Sequence, residues 1–525
     1  MMARVDLEKQ GRSARRSGKS RAVILASLLA IAGAAFAGAS FGGQSGTDRQ
    51  AIRSSPPPTA LGINLFGLAN YNRQQVYLNL INQSEWFSSH GQQWQPMPAS
   101  QLDKQGWVRH LEPGQIAPRP LVLPPTPFGE TAVRCTYRGR GEIGAGGIAH
   151  LVSHGDGSLM LKLLPVNAAE DGAWIELRQT DPGDPVRDID CRETIYARTE
   201  RFHPAFLEFV KGFKLVRFLD WQKTNDNARV DWTSRTTPAS ATQTGPAGAA
   251  IEDMADLANL TGADPWFLMP YQADEDYVRQ FAQLVHARVH RDRTVYVELG
   301  NEVWNDMFDA AQQARREGME LKLGAGDPKR AQMIRYAQKV RQTMKIWTEI
   351  FADRPGKLVR VAASQHAWPD LARTILEDAD TADWVDALAT APYIWLDLKG
   401  NTVSRLDSIF AAMPRAIDAT MTFTDQNRVI ALRHGKRFIG YEGGQHLVTP
   451  DLTLARAIQR DPRMAEVYRN YLSEWEKRSG DALMLYASSA PIADYGAWGL
   501  MEYAGQPISE TPKLRAIRDF QARAR

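Results

Sequence analysis

The sequence predicts an α/β fold, a (β/α)8 TIM barrel with a small antiparallel β-sandwich-like insertion between strands one and two. From about residue 196 onward, short β-branched and aromatic runs alternate with helical segments, and eight such strands are counted from Leu61. Between residues 129 and 195 the pattern changes to short apolar or alternating runs separated by Gly-rich turns. Because alternating strands and helices form parallel sheets, and eight units suit closure, we expect a barrel with one inserted module.

The first 42 residues are predicted to be an export segment and not part of the fold. Residues 1–21 contain seven Lys/Arg and two acidic residues, and the uncharged run 22–41 follows them. Basic, then apolar, then small residues is the order of a secretory signal. An uncleaved anchor is the alternative, because twenty uncharged residues also span a bilayer. We expect an exported protein, periplasmic or extracellular or held at the inner membrane, with residues 43–60 as a linker.

Composition excludes several classes of function. The net charge of +3 over 525 residues comes from the amino terminus, so the remaining chain is slightly acidic and offers no basic surface for nucleic acid. The sequence contains no Gly-rich phosphate loop, no HExxH metal pair and no nucleophilic serine elbow. We therefore expect no cofactor and no catalytic metal.

Residues 61–128 are predicted to contain the first barrel strand and a surface excursion, and residues 129–195 the inserted module. The module has strand-like runs at 132–137, 148–153, 158–164 and 173–179. It also contains the two cysteines of the chain, Cys135 and Cys191. Since an exported protein meets an oxidising compartment, we expect a disulfide, with two buried thiols as the alternative.

The remainder of the barrel, residues 196–525, follows in strand and helix order. Helices are predicted at 251–261, 274–288 and 461–478, with a long helical region ending near Phe351. The barrel strands are predicted at 61–67, 213–219, 266–270, 294–299, 358–364, 385–390, 436–441 and 483–487.

Two glutamates stand at the carboxyl ends of two predicted strands. Glu302 follows the fourth strand within Gly300-Asn301-Glu302, and Glu442 follows the seventh and precedes two glycines. The carboxyl ends of barrel strands carry the chemistry of this fold, and positions four and seven face each other across the mouth. Glycoside hydrolysis with retention needs one carboxylic acid as proton donor and one carboxylate as nucleophile. The pattern therefore indicates a retaining glycosidase.

At these positions the chain resembles the clan A glycoside hydrolases, retaining (β/α)8 enzymes that include cellulase-like, mannanase-like and arabinofuranosidase-like families. The resemblance covers roughly residues 61–115 and 205–515. It implies that Glu302 is the acid/base and Glu442 the nucleophile. It further implies that Asn301 contacts the sugar 2-hydroxyl, and that Arg217 after strand two and Tyr393 after strand six support the nucleophile.

The remaining candidate residues concern substrate binding. Ala391 and Met269-Pro270 stand where related enzymes carry histidine, and His366 after strand five is the candidate to compensate, with a structural loop histidine as the alternative. Trp498 is predicted to be a subsite wall, since aromatic rings stack on sugar faces. Other tryptophans just past strand ends, each more simply explained by core packing, are Trp221, Trp304 and Trp395.

Three functions remain open at this level. The first is hydrolysis of a poly- or oligosaccharide by two glutamates. The second is a non-catalytic carbohydrate-binding protein on the same barrel, and the third is a transglycosylase that remodels exopolysaccharide. The presence of both glutamates together with Arg217 and Tyr393 favours an enzyme over a binding protein.

Overall fold

The computed structural model of the protein describes residues 57–91, 93–124, 128–165, 172–229 and 231–523. The predicted export segment, residues 1–42, lies outside the described residues, as does most of the predicted linker. Within the described ranges, none of the helices is long and apolar enough to cross a bilayer.

The strands are numbered in chain order. Their bounds are β1 (Ala60–Asn64), β2 (Phe87–Ser88), β3 (Gln95–Pro96), β4 (Ala117–Leu121), β5 (Thr131–Arg138), β6 (Gly141–Gly147), β7 (Ala149–Gly155), β8 (Ser158–Leu163), β9 (Ala173–Thr180), β10 (Arg187–Glu193), β11 (Leu215–Arg217), β12 (Asp264–Met269), β13 (Val295–Leu299), β14 (Leu358–Ala363), β15 (Ala387–Thr390), β16 (Tyr393–Trp395), β17 (Arg437–Gly440), β18 (Gly444–His446) and β19 (Ala482–Leu485).

The helices are numbered in the same way. Their bounds are α1 (Pro204–Lys211), α2 (Ile251–Thr261), α3 (Glu275–Arg288), α4 (Asp309–Glu320), α5 (Pro328–Ile350), α6 (Pro369–Leu376), α7 (Leu406–Arg433), α8 (Leu452–Arg460), α9 (Met464–Arg478) and α10 (Pro512–Arg523). The caps agree with the sequence: Asp274 and Asp451 accept from backbone N–H groups at the starts of α3 and α8.

Eight parallel strands close into a barrel in the order β1-β11-β12-β13-β14-β15-β17-β19. Each of the eight predicted strands corresponds to one of these, so the predicted TIM barrel is confirmed. The strands are short and almost wholly buried, because helices cover their outer face and side chains fill the interior. The fourth and seventh barrel strands are β13 and β17, which is where strand counting places Glu302 and Glu442.

Alternation along each strand decides which side chains enter the barrel. Trp266 and Leu268 of β12 belong to the interior cluster, whereas Phe267 and Met269 pack outward against helices. The same alternation directs Arg217 of β11 and Glu298 of β13 inward, and both side chains are fully buried. A guanidinium and a carboxylate thus occupy the upper layer of an otherwise apolar barrel interior.

The predicted insertion lies between β1 and β11 and consists of two antiparallel sheets. One sheet has the order β10-β5-β8-β7 and the other β4-β9-β6. Their apolar side chains, such as Leu161 and Ile175, share one core cluster, which confirms the β-sandwich-like interpretation. Cys135 and Cys191 lie opposite each other on β5 and β10 and form the expected disulfide.

The sandwich differs from its prediction in three strands. β4 lies within 61–128, the segment predicted to be the barrel's excursion, yet it pairs with β9. β6 and β10 are additional strands. Their sequences explain why they were missed: β6 contains four glycines in seven residues, and β10 is dominated by charged residues.

Candidate active site

The turn after β13 carries Glu302 into the mouth of the barrel. Gly300 has φ +65°, and a Cβ there would lie 2.6 Å from a methyl carbon of Val303, so only glycine fits. Glu302 itself has φ +45°, a conformation that L-residues rarely adopt. The Asn305 N–H donates to the Glu302 carbonyl at 2.7 Å and closes the turn. Strained backbone at one residue of a mouth loop is typical of functional sites.

The turn after β17 carries Glu442 to the same mouth. Glycines 443 and 444 let the backbone turn close to helix α9, because a Cβ on Gly443 would lie 2.5 Å from the hydroxyl of Tyr471. Beyond the barrel, β16 pairs with β18, which sets Tyr393 opposite Gly444. The Tyr393 hydroxyl consequently donates to Glu442 Oε2 at 2.9 Å.

Arg217 connects most of the polar side chains in the upper layer. Its Nη1 donates to Glu442 Oε1 at 3.0 Å and to Asn64 Oδ1 at 2.9 Å. Its Nη2 donates to Glu298 Oε2 and to Asn301 Oδ1, each at 2.9 Å. The ring of Tyr441 lies 5.1 Å from the guanidinium carbon. One cation thus stabilises the ionised forms of both Glu298 and Glu442 against the rise in pKa that burial causes.

Glu302 has a different environment, with neutral partners. Tyr441 donates its hydroxyl proton to Glu302 Oε1 at 3.2 Å, and Asn305 Nδ2 donates to Glu302 Oε2 at 2.9 Å. The Trp304 indole N–H in turn donates to the Tyr441 hydroxyl at 3.2 Å. Among the described residues no Lys or Arg forms an ion pair with Glu302, and the charge of Arg217 lowers the pKa of Glu302 less than its hydrogen bonds to Asn305 and Tyr441 do.

The carboxyl groups of Glu302 and Glu442 therefore have different tendencies to ionise. Burial, followed by the charge of Glu442, raises the pKa of Glu302 to about 8. Burial also raises the pKa of Glu442, but Arg217 and the Tyr393 hydroxyl oppose that rise. When the pair holds one proton, the proton belongs on Glu302 and the charge on Glu442. This is the arrangement that an acid beside a nucleophile requires.

The structure brings five of the predicted residues together: Glu302, Glu442, Asn301, Arg217 and Tyr393. Asn301 is buried with its amide occupied, since Oδ1 accepts from Arg217 and Nδ2 donates to Asn225 Oδ1 at 3.0 Å. A contact with a sugar hydroxyl would therefore share or replace the bond to Asn225.

Trp498 is largely buried beside this group. Its ring lies 5.5 Å from the ring of His446, which in turn lies 5.4 Å from the ring of Tyr393. His446 has a buried Nε2 without a hydrogen-bond partner in the described residues. Trp221, in contrast, packs against Phe206 and Phe218 in the core, as the simpler explanation predicts.

His366 does not present a free ring nitrogen to the site. Its Nε2 hydrogen-bonds the Thr420 carbonyl and its Nδ1 the Thr390 hydroxyl, each at 2.9 Å. Because a ring nitrogen that faces a carbonyl must be the donor, Nδ1 accepts from Thr390. Thr420 also donates its hydroxyl to the Tyr393 carbonyl. His366 thus supports the segment that carries Tyr393, which agrees with the structural alternative and not with direct sugar binding.

Four polar residues of the site were not identified from the sequence: Asn64, Asp220, Glu298 and Tyr441. Glu298 had a visible signal, because it is a charged residue within the apolar run of β13. Asn64 is the last residue of β1, and its Nδ2 donates to the carbonyls of Tyr441 and Leu485. Such an amide looks like an ordinary strand end until the barrel closes around it.

Within the described ranges no group of three or more His, Cys, Asp or Glu side chains is arranged to hold a metal ion. The mouth offers a carboxyl group with a raised pKa, a carboxylate paired with Arg217, and hydroxyl and amide groups around them, which is an arrangement suited to acid/base and nucleophilic chemistry.

A scan against protein-family models finds no match, and a search of curated proteins finds none. Solved structures with similarity include an α-L-arabinofuranosidase from Thermotoga maritima, 13% identical over 60% of this chain and 63% of that chain, with a TM-score of 0.35. A family 51 α-L-arabinofuranosidase from Bifidobacterium longum is 12% identical over 60% and 67%, with a TM-score of 0.40. A β-xylosidase from Caulobacter crescentus is 16% identical over 61% and 65%, with a TM-score of 0.36.

This chain thus spans less than two thirds of the Thermotoga enzyme. Identities and TM-scores at this level assign no activity. The functional assignment depends on the site itself.

Proposed function

We propose that the protein is a retaining glycoside hydrolase of the clan A type that cleaves a poly- or oligosaccharide with two glutamates. The observation that carries the proposal is the unequal environment of two neighbouring carboxyl groups. Glu442 accepts hydrogen bonds from Arg217 and Tyr393, which favour its ionised form. Glu302 accepts hydrogen bonds from neutral donors, and its pKa is raised to about 8. A neutral acid next to an ionised carboxylate is what double displacement requires.

In the first step Glu442 attacks the anomeric carbon while Glu302 protonates the leaving oxygen. Arg217 and Tyr393 hold the two oxygens of Glu442 in place, so the attacking carboxylate is oriented before the substrate arrives. The products of this step are a glycosyl ester on Glu442 and the released alcohol.

In the second step the same surroundings make Glu302 a base. The charge of Glu442 is the second-largest cause of the high pKa of Glu302, and forming the ester removes that charge. The pKa of Glu302 then falls, so the deprotonated carboxylate can accept a proton from water as the water attacks the ester. Tyr441 and Asn305 stabilise this ionised form by donating to its two oxygens.

The decisive experiment compares Glu302→Ala with Glu442→Ala. Glu302→Ala should lose about 10²- to 10⁴-fold in kcat/KM on glycosides with poor leaving groups. It should retain turnover of an activated aryl glycoside, and added azide should release a glycosyl azide of retained configuration, because azide needs no general base. Glu442→Ala should show no turnover under any of these conditions. Glu320→Ala, at the exposed end of α4, is the matched control and should behave as wild type.

The outcomes separate the alternatives. Products of inverted anomeric configuration would indicate a single displacement and contradict double displacement. Oligosaccharide products longer than the substrate would indicate transglycosylation. If the wild-type protein binds polysaccharide but does not hydrolyse it, the protein is a carbohydrate-binding protein and not a glycosidase.

We further propose that the protein is exported through its first 42 residues. The proposal is supported by the order of basic, apolar and small residues in that segment. A chain that begins at Gly43 should fold and stay in the cytosol, whereas the full chain should be recovered outside it. Aggregation of the shortened chain alone would show that residues 1–42 belong to the fold.

A further inference from the structure

A third carboxyl group, on Asp220, lies in the mouth and is not used by the mechanism above. Asp220 follows β11 by three residues, and the Tyr486 hydroxyl donates to its Oδ2 at 3.2 Å. Tyr486 is the first residue after β19, so this contact links the second and eighth barrel strands above β1. The Cβ of Asp220 lies 3.6 Å from the position a Cβ would take on Gly67.

Asp220 and Glu442 belong to one electrostatic group. Burial, and then the charge of Glu442, raises the pKa of Asp220 to about 6. Burial, and then the charges of Asp220 and Glu442, also raise the pKa of Tyr486. Geometry connects the two residues as well, because Tyr486 donates its hydroxyl to Asp220 and its backbone N–H to the carbonyl of Gly443, the residue after Glu442, at 3.0 Å. Asp220 and Glu442 therefore border the same part of the mouth.

The way Asp220 is paired differs from that of other acids in the barrel. Asp253 and Asp386 each bind an arginine through both oxygens, and Glu298 binds Arg217. Within the residues the structure describes, Asp220 has the Tyr486 hydroxyl as a hydrogen-bond partner and no ion pair, and its Oδ1 accepts no hydrogen bond. Asp220 is also partly exposed in the mouth, whereas Asp253 and Glu298 are buried, so its open oxygen can accept a hydrogen bond from a bound sugar.

The charge of the mouth limits the substrate. Arg217 is the one arginine or lysine that hydrogen-bonds Glu442 among the described residues, and it is shared with Glu298. A uronic acid beside Glu442 would add its own carboxylate to those of Glu442 and Asp220, where Arg217 already serves two carboxylates and Lys223 is the other cation whose charge acts on Asp220. A hydroxyl or an ammonium group, in contrast, would donate to the open oxygen of Asp220.

We propose that Asp220 is a specificity-determining residue that accepts a hydrogen bond from a hydroxyl or ammonium group of the sugar beside Glu442 and excludes a uronic acid there. The proposal rests on the proposed glycosidase function and deepens it by naming the substrate class: neutral or amino sugars. Selection of this kind uses both an attractive and a repulsive element.

The test uses 4-nitrophenyl glycosides of glucose and galactose, in both anomers, each in its neutral, 2-amino and 6-carboxylate forms. The wild-type protein should hydrolyse a neutral or amino glycoside and should not hydrolyse the matched uronide. Asp220→Asn, which keeps the size and an acceptor oxygen, should raise the uronide-to-neutral ratio of kcat/KM by about tenfold or more. Asp226→Asn, an exposed change in the same loop, should leave the ratio unchanged.

A binding measurement keeps this test independent of turnover. The Glu302→Gln protein should bind cellotetraose or a chitosan tetramer with higher affinity than tetragalacturonic acid, as measured by calorimetry. Adding Asp220→Asn should reduce that preference. A ratio unaffected by Asp220→Asn, or a wild-type preference for the uronic sugar, would overturn the proposal. Selective binding without turnover by wild type would overturn the hydrolase and keep the role of Asp220. No binding and no turnover of any probe would overturn both.

Discussion

The two ends of the barrel pair their charges in opposite ways. At the amino-terminal end, Arg437 binds both oxygens of Asp481, and Arg360 binds both oxygens of Asp386. Each of these two acids has its own arginine. At the carboxyl end, Arg217 alone serves Glu298 and Glu442 and also two amides.

We interpret the difference as separating charges that stabilise the fold from charges that the proposed function assigns to chemistry. One-to-one bidentate pairs satisfy both partners and leave no group ready to react. Sharing one guanidinium leaves Glu302 and Asp220 without a cation of their own, so burial raises the pKa of each. Substitutions at the two ends should consequently have different effects, and four of them test this from the largest effect to the smallest.

Arg217→Met should cause the largest loss. It leaves Glu298 and Glu442 without their cation, which raises the pKa of both, so Glu442 becomes protonated and cannot attack. We expect kcat/KM to fall at least about 10³-fold, with the acidic limb of the remaining activity moved to higher pH. Breaking a buried pair on one side should also cost about 3–5 kcal/mol of unfolding free energy.

A second substitution separates these two effects. Arg217→Met with Glu298→Gln removes the orphaned charge and should recover part of the stability, as measured by denaturant unfolding, without recovering activity. Recovery of both would mean that Arg217 acts on folding alone.

Asp481→Asn should affect the opposite property. Asp481 has φ +59°, a conformation that asparagine tolerates, so the change removes a charge without straining the backbone. Since Arg437 is partly exposed, we expect a loss of only about 1–2 kcal/mol in unfolding free energy. The kcat should not change under conditions where the variant is fully folded. A lower kcat under those conditions would contradict the difference between the two ends of the barrel.

Glu302→Gln should stabilise the protein above neutral pH. The pKa of Glu302 is raised from 4.5 to about 8 in the folded state. Between these pH values Glu302 ionises in the unfolded chain but stays protonated in the folded protein, so the wild-type protein loses stability as pH rises. Glutamine has no charge to bury. The melting temperature of the variant should exceed that of wild type by a few degrees at pH 8 and by little at pH 5. Equal differences at the two pH values would show that Glu302 is not held protonated.

Tyr441→Phe should give the smallest effect, a change in pH dependence. The Tyr441 hydroxyl lowers the pKa of Glu302 by donating to its Oε1, so removing it should raise that pKa. The basic limb of the kcat profile should move up by about 0.5–1 pH unit. Tyr296→Phe removes a hydroxyl that binds Arg437 at the other end of the barrel and should not move the limb.

The barrel and its two glutamates could be predicted because their signals are local. A short apolar strand that ends in a glutamate and a glycine-containing turn is visible in one stretch of sequence, and counting strands places two such stretches. Arg217 and Tyr393 followed from the same count and from the resemblance to a known clan. For these residues, position along one strand already determines position in the site.

The missed residues have signals that are not local. Tyr441 is an aromatic residue among apolar neighbours, and only closure of the barrel brings its hydroxyl to Glu302 on another strand. Asp220 looks like any acid in a loop until Tyr486 is placed beside it. The role of His366 stayed open in the sequence for the same reason, because the partners that occupy its ring, Thr390 and Thr420, lie on later elements.

The place of the sandwich in the chain determines the order in which the barrel can assemble. β1 leaves the ribosome first, yet its neighbours are β11, where Gly62 pairs with Leu215, and β19, where Ala60 pairs with Ala482. The sandwich strands pair among themselves and are complete before β11 is synthesised. We therefore expect the insertion to fold during synthesis while β1 is still unpaired. Closure of the barrel then depends on the pairing of β1 with β19, a contact between strands far apart in the chain and for that reason slow to form.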